Sequence, residues 1–308
     1  RERTGAIALM TTTRVVFAFS NRIINNNYFR QALQKDANGL YPSLGDAVKR
    51  TKNFTYQTFG DIINNRKFTL LGDPAVRLAF PTLNVRTTAI NNRVPAADTL
   101  KALDRFTIKG EVTDAAGNKL SNFNGNVYPV IFDKVQQQKT FANDATSIST
   151  NFTQQSNIIF KGKAKVTNGE FVYSFVVPKD INYQFGNGKI SYYAEDGIKD
   201  GNGAETSIII GGASANPLTD NTGPEIKAYL NDQKFVNGGI TNETPVLLLK
   251  LADSSGINTV GTGIGHDLIA TVDDDNSQFY VLNDYYEADA DSYQSGTCLL
   301  YTSDAADE

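Results

Sequence analysis

Lys67-Phe68-Thr69-Leu70-Leu71-Gly72-Asp73-Pro74-Ala75-Val76-Arg77-Leu78-Ala79-Phe80-Pro81 is the stretch on which the reading of this chain turns. At its centre Gly72 can take φ angles closed to other residues, Asp73 can accept backbone N–H bonds, and Pro74 is preset for a first helical or turn position. That reading is structural, because one carboxylate beside a proline lacks the second titratable partner that acid–base chemistry needs. The stretch is also a border. Helical periodicities precede it, and from Asn84 onward the texture changes to short alternating runs separated by Gly, Asn and Asp.

Before the border, Gly5-Ala6-Ile7-Ala8-Leu9-Met10 is a nearly unbroken apolar run, as expected of a strand covered on both faces of a parallel sheet. Thr11-Thr12-Thr13-Arg14 follows it, and in open α/β sheets ligands bind at the carboxyl ends of strands. Thr12, Thr13 and Arg14 are therefore candidate cleft-lining residues, with a solvated strand end as the plain alternative. Ser20 or Asn21 can cap a helix in which Ile24, Tyr28 and Ala32 recur, Phe29 and Leu33 widening the stripe, until Asn38-Gly39 stops it. Ser43 stands three residues before Asp46, a capping-box spacing, ahead of Leu44, Ala47, Val48 and Thr51. Lys49, Arg50 and Lys52 fall on the remaining face and read as solvated.

The 308 residues suffice for two or three domains. Lys plus Arg number 29 against 33 Asp plus Glu, and the charges are interspersed, which excludes the basic footprint of a nucleic-acid binder. No apolar stretch approaches the roughly twenty residues that a membrane-spanning helix requires. A nucleophilic dyad needs a thiolate beside an imidazole. The single cysteine lies in Cys298-Leu299-Leu300-Tyr301-Thr302-Ser303-Asp304-Ala305-Ala306-Asp307-Glu308, which looks like the in-frame translation of a sequencing adapter and is set aside from fold reasoning. The single histidine, His266, sits in the glycine-rich run Gly261 to Asp267 and reads as a structural loop residue, bonded to Asp267. Without a second histidine or a native cysteine, a zinc-type metal site is disfavoured.

Beyond the border, Phe106, Ile108 and Val112 share one face of a strand, and Asp114 to Asn118 supplies the reversal. Ile158 to Val166 and Glu170 to Val177 flank Asn168-Gly169, a strong hairpin signal, with Phe171, Tyr173, Phe175 and Val177 on one side. Ile190 and Tyr192 alternate with Lys189, Ser191 and Tyr193 in a further strand. Strands at such spacing predict a sandwich. A linker is expected over Gly211 to Pro224, and Val246 to Leu251 reads as a buried strand of a second β domain.

The stretch Lys67 to Pro81 resembles the one that closes the caspase-like catalytic domain of gingipain-type cysteine peptidases, family C25. The segment Val177 to Ala194 resembles one branch of that family more narrowly, the sortase of the type IX secretion system. Gly223-Pro224-Glu225-Ile226, Asp253 to Thr259, Gly263 to Asp267 and Leu282 to Tyr286 look like further pieces of the same branch. The resemblance implies a multidomain, mainly β chain: residues 1–83 as the C-terminal part of the caspase-like α/β domain, 84–215 as an Ig-like β-sandwich, 216–297 as a second, truncated β domain, and 298–308 as adapter sequence. It implies that Arg1 falls inside the catalytic domain and that the family's catalytic His and Cys lie before it, so no catalytic residue is expected here. The implied activity is cleavage of the C-terminal sorting domain of secreted cargo and transfer of the new carboxyl end to a lipopolysaccharide-type anchor. Implied partners are cargo proteins with such domains and other surface subunits of the secretion system, at the outer membrane of a Gram-negative bacterium.

No cofactor is expected, and calcium is the one ion the acidic turns admit. Candidate ligands are Asp196, Asp200 and Asn202, then Asp273, Asp274 and Asp275, then Asp289 and Asp291, none at EF-hand spacing. Two rival readings stand beside the sortase. One is a secreted gingipain-like endopeptidase, which shares the Lys67 to Pro81 stretch. The other is a surface adhesion or glycan-binding module using Tyr183, Phe185, Tyr192, Tyr193, Tyr285 and Tyr286 as a platform, although the chain has no tryptophan.

Overall fold

The computed structural model describes residues 6–37, 39–91, 99–218, 222–259, 267–272 and 275–301. Strands predominate over helices, and the chain divides into two compact units, Arg1–Phe80 and Pro81–Glu308.

The first unit runs β1 (Leu9–Thr12), α1 (Ala18–Ala32), α2 (Leu44–Phe59), α3 (Ile63–Lys67) and β2 (Phe68–Leu71). The apolar run predicted as a doubly covered parallel strand is corrected on three counts. The strand starts at Leu9, it pairs antiparallel with β2 in the register Leu9↔Leu71 to Thr12↔Phe68, and Ile7, Leu9 and Leu71 remain exposed. With a single antiparallel neighbour among the described residues, the pair has no layers on both faces to bury it.

Helix α1 begins before the predicted Ser20 or Asn21 cap. The Phe17 N–H donates to Asn64 Oδ1 at 3.1 Å, so a side chain brought from α3 does the capping. Ile24 and Ala32 are buried, Tyr28 is half-buried, and Phe29 and Leu33, predicted to widen the stripe, stay exposed. Helix α2 follows its sequence closely. Ser43 Oγ accepts the Asp46 N–H at 3.2 Å, Gly60 ends the helix at φ 64°, and Leu44, Ala47, Val48 and Thr51 are buried. Lys52 departs from the solvated face assigned to it, because its ammonium donates to the Phe68 carbonyl at 2.7 Å and partial desolvation lowers its pKa.

The Gly72-Asp73-Pro74 turn is a clasp for α2. Leu44 N–H donates to Val76 O at 2.8 Å and Gly45 N–H to Pro74 O at 2.9 Å, satisfying donors that a helix start leaves open. Asp73 Oδ1 accepts the Ala75 N–H at 2.8 Å, which shapes the turn. A Cβ on Gly45 would lie 2.7 Å from Pro74 Cβ, so the approach is as close as glycine permits.

The second unit opens with a run of strands. In chain order its strands are β3 (Leu83–Ile90), β4 (Thr99–Ala102), β5 (Arg105–Thr113), β6 (Gly125–Phe132), β7 (Gln136–Lys139), β8 (Asn151–Gln154), β9 (Ile158–Lys161), β10 (Ala164–Thr167), β11 (Glu170–Val176), β12 (Gly186–Asn187), β13 (Lys189–Glu195), β14 (Asp200–Glu205) and β15 (Ile209–Ala213). The main sheet has the order β10-β11-β5-β3-β14-β13-β6-β9, and β10 also pairs with β6. The sheet therefore closes on itself instead of forming two separate leaves, removing most free edges. Its one parallel pairing joins β14 to β3, where a Cβ on Gly203 would fall 1.8 Å from the Val85 carbonyl oxygen. Phe106, Ile108 and Val112 of β5 meet Phe171, Tyr173 and Phe175 of β11 and Ile190 and Tyr192 of β13 inside.

Asn168 and Gly169 both have positive φ, 51° and 77°, and turn β10 into β11 as the Asn-Gly pair predicts. The predicted long strand Ile158 to Val166 is broken at Gly162-Lys163 into β9 and β10, which pair with β6 at different places. The predicted linker is also shorter. Gly211 and Gly212 belong to β15, in a three-stranded sheet β12-β15-β4, and are glycines because the backbone of Gln184 and the ring of Phe185 press on them.

The remainder of the second unit comprises β16 (Glu225–Leu230), β17 (Val246–Ala252), β18 (Ile269–Val272), β19 (Asp275–Val281), β20 (Tyr286–Ala288) and β21 (Ser295–Tyr301), with the sheet order β16-β17-β21-β20 and a separate β18–β19 hairpin. Residues 298–301, set aside as adapter sequence, lie in β21 and pair with β17 through Val246↔Tyr301 and Leu249↔Cys298. The period-two pattern explains it: Cys298 and Leu300 point inward and join Leu249, Leu251, Leu282 and Tyr286 in the core. Residues 302–308 lie outside the described set. Within the second unit a parallel bridge joins Lys163 to Ala290, where the Asp291 N–H donates to Lys163 O and Asp291 Oδ1 accepts the Lys165 N–H, both at 2.8 Å.

Candidate functional site

Thr12, Thr13 and Arg14 stand together at the carboxyl end of β1. Thr12 is half-buried opposite Phe68, while Thr13 and Arg14 are exposed. The Thr13 N–H donates to the Lys67 carbonyl at 3.0 Å and its hydroxyl reaches the same oxygen at 3.4 Å, so Thr13 is partly occupied in holding the strand end. Lys67 closes the other side. Its ammonium donates to Val15 O at 2.7 Å and stands 5.2 Å from the centre of the Phe17 ring. Arg14 is left as the outward-facing cation of this corner. The role of Lys67 was not read from the sequence, where it appeared only as the first residue of a stretch.

Cys298 does not have the environment of a nucleophile. Its side chain is fully buried, its thiol lies 3.8 Å from the Leu282 carbonyl, and desolvation raises its pKa to about 11. Roughly one in ten thousand molecules would carry the thiolate at pH 7. His266 lies outside the described residues, and Asp267 Oδ1 accepts from Asn283 Nδ2 at 3.2 Å.

The calcium candidates are engaged in their own turns. Asp196 Oδ1 accepts the Ile198 and Lys199 N–H groups at 2.9 and 2.7 Å, and these bonds lower the pKa of its carboxyl. Asp200 Oδ2 accepts the Tyr193 hydroxyl at 3.4 Å, and Asn202 lies within β14 opposite Tyr193. Asp289 accepts the Ser295 hydroxyl at 2.8 Å, and Asp291 accepts the Lys165 N–H at 2.8 Å. Asp273 and Asp274 lie outside the described residues. Among the described residues, no group of three or more His, Cys, Asp or Glu stands close enough to share a metal ion.

The proposed aromatic platform is dispersed. Tyr192 is buried, its hydroxyl 2.6 Å from Thr87 Oγ1, and desolvation raises its pKa to about 12. Tyr286 is likewise buried, whereas Tyr183, Phe185, Tyr193 and Tyr285 are exposed. Alternation in a strand separates neighbours such as Tyr192 and Tyr193 onto opposite faces, which is why a run of tyrosines gives no single surface.

A cleft of about 670 Å³ in the second unit is lined by the apolar side chains of Phe160, Phe175, Val177 and Leu251 and by Lys179, Asp253 and Asp267. Sequence reasoning did not find it, since its walls come from positions between Leu103 and Tyr293 that carry no common motif.

The family now follows from the first unit. Residues 1–79 match the family model of peptidase family C25. This segment belongs to that family, the gingipain-type peptidases. No curated protein matches the chain. Among solved structures, the chain is similar to dimeric latent PorU from Porphyromonas gingivalis, with 33% identity over 96% of this chain and 28% of that one, at a TM-score of 0.46. It is also similar to the pro- and mature-domain complex of RgpB from Porphyromonas gingivalis, with 14% identity over 65% of this chain and 38% of that chain, at a TM-score of 0.23. The chain thus spans little more than a quarter of the length of PorU.

Proposed function

We propose that this chain is a portion of a cell-surface cysteine peptidase that works as a sortase. In this reading the parent protein cuts the C-terminal sorting domain from type IX secreted cargo and passes the new carboxyl end to a lipopolysaccharide-type acceptor at the outer membrane. The observation that carries the peptidase part is the family C25 match over residues 1–79. The sortase part is supported by the strings in the β domains, above all Val177 to Ala194, and by the similarity to PorU.

The chemistry is acyl transfer. A cysteine thiolate attacks the scissile carbonyl, the carbon–nitrogen bond breaks as a histidine protonates the departing amine, and a nucleophile of the acceptor then displaces the thiolate from the thioester. Neither group is assigned to this chain, since its one cysteine is a buried thiol. Thr12, Thr13 and Arg14 contribute a wall at a strand end, pinned by Lys67.

Deleting the encoding gene in its host separates the readings. The sortase predicts secreted cargo that keeps its sorting domain and is lost from the cell surface. A fall in extracellular proteolysis with normally processed cargo would favour the gingipain-like protease, and loss of surface binding alone would favour the adhesion module. The purified chain is expected to hydrolyse no peptide, and thiol-dependent cleavage by its Cys298→Ala variant would contradict the assignment of catalysis elsewhere.

A further inference from the structure

Six Asn-Gly pairs punctuate the chain, at Asn38, Asn124, Asn168, Asn187, Asn202 and Asn237. Such a pair is chemically labile when the glycine N–H is free, the asparagine side chain is free, and the backbone can rotate. Among the described residues, the structure ties down the pairs other than Asn237 in different ways. Gly39 N–H donates to Asp36 O at 3.0 Å, Gly169 N–H to Phe123 O at 2.8 Å and Gly188 N–H to Ile208 O at 3.0 Å. Asn124 has its side-chain oxygen on the Asn168 N–H at 2.9 Å, and its following glycine lies under the Glu195 carbonyl, 2.0 Å from where a Cβ would stand. Asn202 and Gly203 lie inside the closed sheet, where β14 is held between β13 and β3.

Asn237-Gly238 differs in that no bond holds its glycine N–H or its asparagine side chain among the described residues. It sits in the connection between β16 and β17, both residues are exposed, and a Cβ on Gly238 would meet nothing within 4 Å. The turn is closed by the neighbouring Gly239 N–H, which donates to Val236 O at 2.9 Å, and Gly238 has φ 81°. Neither the Asn237 amide nor the Gly238 N–H has a partner among the described residues. The loop is closed at its neck instead, where Asn231 exchanges bonds with Val246 and donates from its side chain to Thr241 Oγ1 at 2.9 Å. The turn can therefore open without disturbing the flanking ladder.

We propose that Asn237 is a built-in site of spontaneous deamidation and isoaspartate formation in the folded protein. The Gly238 backbone nitrogen loses its proton to solvent base and attacks Asn237 Cγ. The new carbon–nitrogen bond closes a five-membered succinimide, the bond from Cγ to Nδ2 breaks, and nitrogen leaves as ammonia after taking a proton from water. Water then opens the ring at either carbonyl, yielding aspartate or, with the main chain rerouted through the side chain, isoaspartate. Each event makes the chain one unit more negative and places the new carboxylate near Lys234, whose N–H is held by Asp232 Oδ1 at 2.7 Å. The substrate is the protein itself, and the product is the class recognised by isoaspartyl methyltransferases.

Incubating the intact chain at mildly alkaline pH and mapping its peptides over time tests this. Asn237 is expected to convert at least about tenfold faster than Asn124, Asn168, Asn187 and Asn202 in the folded protein, since each of those needs local opening first. In urea all six should converge. Asn237→Gln should remove most methyltransferase-labelled isoaspartate while leaving the alkaline unfolding curve unchanged. Equal rates at all six sites in the folded chain, or a faster site within the closed sheet, would overturn the proposal.

Discussion

The two units hold themselves together by opposite means. In the second, a closed sheet surrounds a continuous apolar interior running from Leu83 to Ile210, and buried polar side chains such as Asp133 are few. In the first, the buried apolar side chains among the described residues are Ile24, Ala32, Leu44, Ala47 and Val48, while Asn27, Thr51, Thr55, Asn64 and Asn65 are also buried. Those polar groups tie the elements together: Asn27 donates to Thr55 at 3.0 Å, Asn65 donates to Lys52 O at 2.7 Å, and Asn64 caps α1. Meanwhile Val15, Phe17, Phe19, Ile62 and Ile63 are exposed. Hydrogen bonds position elements but contribute only ~1 kcal/mol each net, whereas burying a large apolar side chain contributes about 1.5–3 kcal/mol. The first unit is therefore specified in geometry yet weak in driving force.

The sharpest way to break this contrast is to remove a large side chain from each unit. Phe175→Ala, in the stack with Phe160 at 4.8 Å, should cost about 3–5 kcal/mol in urea unfolding monitored on the second unit. Phe19→Ala, exposed in α1, should stay within about 0.5 kcal/mol. Comparable losses at both would mean that the first unit also possesses a consolidated core.

These differences explain what could be read in advance. Alternation in β5, β11 and β13, the Asn168-Gly169 turn and the Ser43 cap depend on neighbours close in sequence, and they appear where their patterns require. The sheet closure through β10 and β6, the Asn64 cap of Phe17 and the split at Gly162 depend on partners far along the chain. Local pattern carries no signal for those. The candidate corner at Thr12 to Arg14 was legible as a strand end, but the Lys67 pin was not, because a lysine flanking a strand reads as solvated. The segment after Cys298 was judged by its apparent origin, whereas its pairing follows from alternation alone.

Alkali offers the next largest effect, confined to the second unit. Burial raises the Cys298 thiol from 9.0 to about 11 and the Tyr192 phenol from 10.0 to about 12. Both are neutral in the folded state, so their contribution is fully present below the unfolded values. It is lost as pH rises from about 9 through 11 for Cys298 and from about 10 through 12 for Tyr192. The loss is at most ~3 kcal/mol for each group. Thiol titration should find Cys298 unreactive at pH 8 until the chain is unfolded, and ready reaction in the native state would show that β21 opens locally.

Smaller substitutions sharpen the account of the first unit. Asn64→Ala removes the α1 cap and a bond to Asn21, and should cost about 1–3 kcal/mol of local stability, read as loss of helical circular dichroism at lower temperature. Ser43→Ala should cost ~1 kcal/mol by the same readout. Little effect from Asn64→Ala would mean that α1 is held by packing and not by its polar partners.

Hydrogen exchange on the intact chain tests the central contrast most directly. The account predicts that amides of β5, β6, β11 and β13 exchange slowly, only on global unfolding of the second unit, while those of β1, β2 and α1 exchange orders of magnitude sooner through local opening. Protection of β1, β2 and α1 equal to that of the closed sheet would contradict it.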